Sequence, residues 1–277
     1  MSKRLITVFA LATLIVTGAL ADDYAKLSVT YEVVAQQVEE VKRKDKDLMR
    51  LDIGEHASQF RSVIIEWVLD NGLIYGSPTS LNHPFKGYTW LEYQVVKNLP
   101  KSGYMYFTHG RISTRDKING LFEWQLLEGD TVICGYPCKK AKTKFRGRIW
   151  TVWYTPLLPY SDGPWKFCGL PGLVLEAHEA EGKLAFHCKK IEKDTDYGIV
   201  LIKQNASPML RKGSGLLDVY RPERAHELMM LEKYDPEAFF MEMHGELRSL
   251  KVVGNGKVYK NGKEMKTRHH TAILYEK

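Results

Sequence analysis

Long apolar runs are nearly absent from this 277-residue chain: one stands at the N-terminus, and no other is present. That excludes a polytopic membrane protein, which needs several spans of roughly 20 apolar residues each. Glycine and proline number 22 and 11 and keep no period, which excludes collagen and low-complexity linkers. No excess of one charge exists either. Lys and Arg total 40 against 33 Asp and Glu, and the net +7 is spread along the chain. The densest basic cluster, Lys42-Arg43-Lys44-Asp45-Lys46-Asp47, is diluted by acids and reads as a solvated turn, not a nucleic-acid patch.

Motifs of familiar chemistry are missing as well. There is no phosphate-binding Walker loop, and Gly254-Asn255-Gly256 lacks the third glycine of a dinucleotide fingerprint. Gly213-Ser214-Gly215 lacks the spacing of a nucleophile elbow. His226-Glu227 opens like a zinc-protease helix, but Met230 stands where the second ligand belongs; His178-Glu179 fails likewise at Gly182. Nothing marks two acids as a glycosidase pair. No cofactor is implied.

The apolar run itself is informative. Lys3 and Arg4 precede Leu5–Leu20, and Ala19-Leu20-Ala21 puts small residues where a signal peptidase reads. Asp22 and Asp23 come next, without a positive stop-transfer flank. Residues 1–21 therefore read as a signal peptide and 22–277 as a single exported domain, in the periplasm or cell envelope, with no membrane span after cleavage. In that compartment the four cysteines, Cys134, Cys138, Cys168 and Cys188, are disulfide candidates, and three pairings are open. Cys134 and Cys138 fall in one expected strand, about 13 Å apart at ~3.3 Å per residue, too far to bridge each other unless the strand breaks. A thiolate metal site with His187 beside Cys188 is the alternative, although no C-x-x-C knuckle is present.

Alternation dominates the rest of the chain. Leu27, Val29, Tyr31 and Val33 make a half-buried strand, and Met49, Leu51 and Ile53 another, with Phe60 on a third. Val63–Leu69 reads as a short helix ending before Asn71-Gly72. Tyr104–His109 reads as a strand buried on both faces, and Phe122, Trp124 and Leu126 as the next. Val132–Ala141 runs out to Arg146-Gly147, and Arg148–Thr155 runs back. Leu173–Ala177 and Leu184–Ile191 pair over Ala180-Glu181-Gly182. Towards the C-terminus, 224–233 reads helical, and Asp235-Pro236 starts a second helix with Phe239, Phe240, Met243, Leu247 and Leu250 near one face. Asn255-Gly256 and Asn261-Gly262 signal hairpins, and Thr271–Tyr275 a last strand. The expected class is mainly β (α+β): a curved antiparallel sheet or half barrel with a few helices, mostly C-terminal. A C-terminal helical and hairpin subregion over 220–277, bounded near 205–220, is a candidate module.

Residues 131–175 carry a specific pattern. Gly169-Leu170-Pro171-Gly172-Leu173-Val174 resembles the signature of the GLPGLI family, also known by the Porph_ging domain name. Gly135-Tyr136, Cys138, Lys140-Ala141, Phe145, Gly147-Arg148, Trp153-Tyr154-Thr155 and Gly163-Pro164-Trp165-Lys166-Phe167 match too. Val174 replaces the family's isoleucine, and the usual Asn-Pro-Ile-Glu-like ending is absent, with Thr271–Lys277 in its place. The motif core spans 131–192. The resemblance implies an exported protein of a double-membraned bacterium, with no catalytic residue to carry over. Its strand pattern is similar to lipoprotein-carrier-like half barrels, which hold acyl chains, an analogy of fold alone.

Three functions are consistent with these readings. The first is a non-enzymatic envelope protein binding an apolar ligand, such as a lipid, or an outer-membrane protein partner. Its binding candidates are Arg148, Trp153, Tyr154, Trp165, Phe167 and Leu170, of which the motif loop would present Trp165, Phe167 and Leu170. The second is a copper-type metal binding or delivery protein using Met241, Met243, His244, His187, His269-His270 or the cysteines. The third is an uncharacterised hydrolase. In the bland alternative, Gly169, Pro171 and Gly172 shape a turn that Leu170 and Leu173 anchor in the core.

Overall fold

The computed structural model describes residues 23–36, 42–71, 83–89, 91, 93–98, 103–109, 112–195 and 197–199, and the backbone of 218–220, 250–253, 257–260 and 263–264. In chain order these form β1 (Asp23–Tyr24), β2 (Leu27–Ala35), β3 (Asp45–Ile53), β4 (Ala57–Ser62), α1 (Val63–Asp70), β5 (Tyr93–Asn98), β6 (Tyr104–His109) and β7 (Ile112–Lys117). Then come β8 (Gln125–Ile133), β9 (Tyr136–Phe145), β10 (Arg148–Thr155), β11 (Leu173–Glu179), β12 (Leu184–Lys193) and β13 (Gly198–Ile199). Short strands β14 (Asp218–Tyr220), β15 (Leu250–Val253), β16 (Lys257–Lys260) and β17 (Lys263–Glu264) complete the set.

Twelve strands make one sheet in the order β14-β7-β6-β5-β4-β3-β2-β12-β11-β10-β9-β8. All neighbours are antiparallel except β14, which lies parallel to β7. The chain enters at mid-sheet with β2, meanders outward to β7, crosses to the opposite edge at β8, and meanders back until β12 lies beside β2.

That crossing dictates the curvature. Ten strand spacings separate β7 from β8 in the sheet order, about 48 Å if the sheet were flat. The connection from Lys117 to Gln125 has eight Cα–Cα steps, which reach at most ~29 Å. The sheet must curl until its two flanks approach. The inward rings record the curl: Phe60 on β4 and Phe186 on β12 stand three strands apart, yet their centroids are 6.2 Å apart. The expected curved antiparallel sheet is therefore present.

Alternation selects the inner face. On β2, Leu27, Val29, Tyr31, Val33 and Ala35 are all buried, and β10 adds Trp150, Val152 and Tyr154. On β6, Met105, Tyr106, Phe107 and Thr108 are all buried, as a strand covered on both faces requires. Helix α1 begins where Ser62 Oγ accepts the Ile65 N–H at 3.4 Å, and ends as Asn71 N–H donates to Trp67 at 3.1 Å. Glu66 ties it to the sheet through Arg50 and Arg61.

Several expectations need correction or lie elsewhere. Val132–Ala141 is not one strand: Cys134 (φ 49°) and Gly135 (φ 82°) form a two-residue turn that separates β8 from β9. Phe122 and Trp124 are not in a strand; they belong to the crossing segment, and β8 starts at Gln125. Leu250 opens β15 instead of closing a helix. The hairpin signals at 255–256 and 261–262 are flanked by the antiparallel pairs β15–β16 and β16–β17. Residues 1–21, the expected helices after 220, Met241, Met243, His244, His269, His270 and Thr271–Tyr275 lie outside the described residues. No described helix is long and apolar enough to cross a membrane.

Candidate functional site

Between β10 and β11 the chain makes a long turn, residues 156–172, and folds it into the concavity of the sheet. Trp165, Phe167 and Leu170 are buried, the first two completely. Their ring neighbours come from β10, β12 and the crossing segment. Trp150 lies 5.5 Å from Trp165 and 5.1 Å from Phe167, and Phe167 lies 5.9 Å from Phe186. The crossing segment contributes Phe122, 4.5 Å from Phe145 and 5.7 Å from Phe167. Trp124 Nε1–H donates to the Cys168 carbonyl at 2.8 Å.

Two glycines explain why this turn tolerates few other residues. At Gly172 a Cβ would stand 2.3 Å from the Thr155 carbonyl oxygen. At Gly163 it would stand 2.7 Å from the Val174 Cβ. Both contacts are closer than real Cβ atoms come, so the backbone of the motif packs where only glycine fits.

Buried charges pin the turn. The Lys97 ammonium, on β5, donates to Asp162, to the Gly163 carbonyl at 2.8 Å and to the Phe167 carbonyl at 3.0 Å. Three donors meet three acceptors, so the buried cation is satisfied. Lys166 donates to Asp116 of β7 at 2.7 Å, and Arg146 of the β9–β10 turn binds the same carboxylate. Burial pushes the Asp116 carboxyl up, but the charges and hydrogen bonds of Lys166 and Arg146 outweigh it and hold it below its ordinary value. This pair of contacts ties the β7 flank to the β9–β10 flank across the mouth of the curl.

The six binding candidates separate into three places. Tyr154, Trp165, Phe167 and Leu170 sit in the core. The expectation that the loop offers its rings outward is corrected: their apolar faces pack on the sheet. Arg148 is buried with Glu179, their atoms 3.2 Å apart, and Glu179 also accepts the N–H groups of Glu181 and Lys183 at the β11–β12 turn. Trp153 lies on the outer face, opposite Glu176 on one side and Lys140 on the other.

The cysteines also divide. Cys168 is buried in the motif turn, where burial pushes its thiol up to about 11. Cys134 Sγ–H donates to the Cys188 carbonyl at 3.4 Å, which brings the two cysteines together. Burial pushes Cys138 up to about 11 as well, and burial, then Cys134, raises Cys188 far above its ordinary range. All four are free thiols.

A group missed in the sequence lies on the outer face. Glu176 and His178 alternate on β11, and His187 of β12 pairs with Glu176. His178 Nε2 is 2.5 Å and His187 Nδ1 3.7 Å from the same Glu176 Oε1. The hydrogen bond from His178, and then the nearby His187, hold the Glu176 carboxyl down at about 2. The expected hairpin carried this signal: a Glu-x-His alternation facing a histidine of the returning strand.

Residues 140–176 match Porph_ging, described as a protein family of unknown function. The chain carries the Porph_ging segment. The segment runs from β9 through the plugging turn into β11, so the family pattern coincides with the part that fills the sheet. Among curated proteins none matches the chain. Among solved structures it is similar to PNGF-II, at 14% identity over 84% of this chain and 40% of that one, with a TM-score of 0.39. It is similar to MucB, solved in complex with MucA(peri), at 8% identity over 65% of this chain and 57% of MucB, with a TM-score of 0.28. A LolA superfamily protein from Nitrosomonas europaea aligns at 8% identity over 62% of this chain and 87% of that one, with a TM-score of 0.26. The chain thus spans well under two thirds of PNGF-II.

Proposed function

We propose that the chain is a non-enzymatic binding protein of the cell envelope, and that it acts through a protein partner docked outside the sheet. The observation that carries this reading is the filled concavity: the Porph_ging turn occupies the place where a half barrel would hold apolar cargo. Opening that space would expose Trp165, Phe167 and Leu170. Phe167 alone accounts for about 1.5–3 kcal/mol of burial. It would also strand Lys97 or Asp162 without a partner, at a further cost of about 3–5 kcal/mol. Together these approach the whole stability of an ordinary domain, about 5–15 kcal/mol.

The outside offers a docking element. Among the described residues, strand β8 ends the sheet order and pairs with β9 alone, and it is exposed along most of its length. Leu126 and Val132 are apolar and largely exposed on it. A sheet-edge strand offers backbone donors and acceptors that an extended segment of another protein can satisfy. The register break between Leu127 and Asp130 interrupts the ladder, which limits indiscriminate edge pairing.

Photo-crosslinking in the native envelope tests the reading. A crosslinking residue at position 126 should trap one discrete protein adduct, and Val132→Glu should reduce it at least tenfold. The same probe at Lys193, exposed on β12, should trap none. Equal adducts at 126 and 193, or none at 126, would overturn it.

A further inference from the structure

The outer face of the β11–β12 hairpin gathers donor atoms of a kind that metals select. Strand alternation puts Glu176 and His178 on one face, and register sets His187 directly across from Glu176. The three donor atoms all lie within 4.8 Å of one another. A tetrahedral ion with metal–donor distances of about 2.0–2.1 Å holds its donors roughly 3.3 Å apart. The two nitrogens already stand 2.5 Å and 3.7 Å from one carboxylate oxygen, so small side-chain rotations suffice. The imidazole rings are 5.1 Å apart and inclined at 66°, so both can turn toward a shared point.

The framework is rigid where the donors need it. Strand β11 lies between β10 and β12, and β12 lies between β11 and β2, so neither backbone is at an edge. Each donor side chain is only partly exposed, between 25% and 40%. That leaves open coordination positions on the solvent side. Two imidazoles and one carboxylate suit divalent ions of intermediate softness.

We propose that Glu176, His178 and His187 form a binding site for one divalent transition ion of the Zn²⁺ or Cu²⁺ class. The site uses none of the methionines expected for a copper protein, and its three donors are two imidazoles and one carboxylate. Without an ion, Glu176 remains a carboxylate between two imidazoles; with one, the same oxygen and both nitrogens become ligands. The site is also independent of the docking strand β8.

Calorimetric titration of the purified, metal-stripped protein with ZnCl₂, and separately with CuCl₂, tests this, with the thiols alkylated beforehand. The wild type should bind one ion at this site. His178→Ala and His187→Ala should each weaken it at least tenfold, and the double variant should lose that binding event. Glu176→Gln, which keeps the side-chain volume, should weaken it in the same direction. The Cu²⁺ form should show nitrogen hyperfine coupling in its electron paramagnetic resonance spectrum, lost in the double variant. Far-ultraviolet circular dichroism of the ion-free variants should match the wild type, which separates lost ligands from lost fold. Unchanged stoichiometry and affinity in a folded double variant, or no binding by the wild type, would overturn the assignment. Neither result would alter the crosslinks from β8, so the two readings fail separately.

Discussion

Lys97 shows how one residue can set the whole interior. Its neighbours Val95 and Val96 are buried on β5, and no motif around the lysine marks it for burial. Its partners are Asp162, Gly163 and Phe167, more than 60 residues along the chain. A buried ammonium is stable only while its acceptors stay in place. Lys97→Met should therefore cost about 3–5 kcal/mol, because Asp162 is left charged and buried. Adding Asp162→Asn should recover part of that loss. Urea unfolding of both variants is the check, and a Lys97→Met protein as stable as the wild type would contradict the pinning role.

At the scale of elements, alternation and turn chemistry make most strands legible in the sequence. β2, β3 and β10 keep their periods of two, β6 is buried on both faces as its sequence reads, and Arg146-Gly147 turns the β9–β10 hairpin as its left-handed angles require. The β8–β9 turn was not legible, because Cys134 takes a left-handed angle that favours glycine and asparagine, with no proline or asparagine to signal it. The placement of Phe122 and Trp124 was equally hidden. Alternation marks a side chain as inward but does not distinguish a strand from a segment crossing the core. The same turn brings Cys134 onto Cys188. We expect these two thiols, and not Cys138 or Cys168, to form the disulfide when the protein is oxidised. Closing that loop would contribute about 4 kcal/mol by chain entropy. Non-reducing peptide mapping should find one peptide pair joining 134 to 188, and a bridge through Cys138 or Cys168 would contradict the geometry.

At the scale of the molecule, topology explains both the curvature and the closed interior. A seven-residue segment, 118–124, joins strands near opposite ends of a twelve-stranded sheet, so the sheet curls, and the Porph_ging turn then fills the space that curling creates. The motif's glycines and aromatics were legible as a pattern, but whether its rings faced in or out was not, since that depends on flanks distant in sequence. Four of the six binding candidates proved to be packing residues for this reason. The concavity holds the chain's own side chains in place of cargo. Native mass spectrometry of the protein, purified without detergent from its own envelope, tests it most directly. The expected mass is that of the polypeptide with at most a bound metal ion; a reproducible additional mass of an acyl lipid would mean that the concavity opens to cargo.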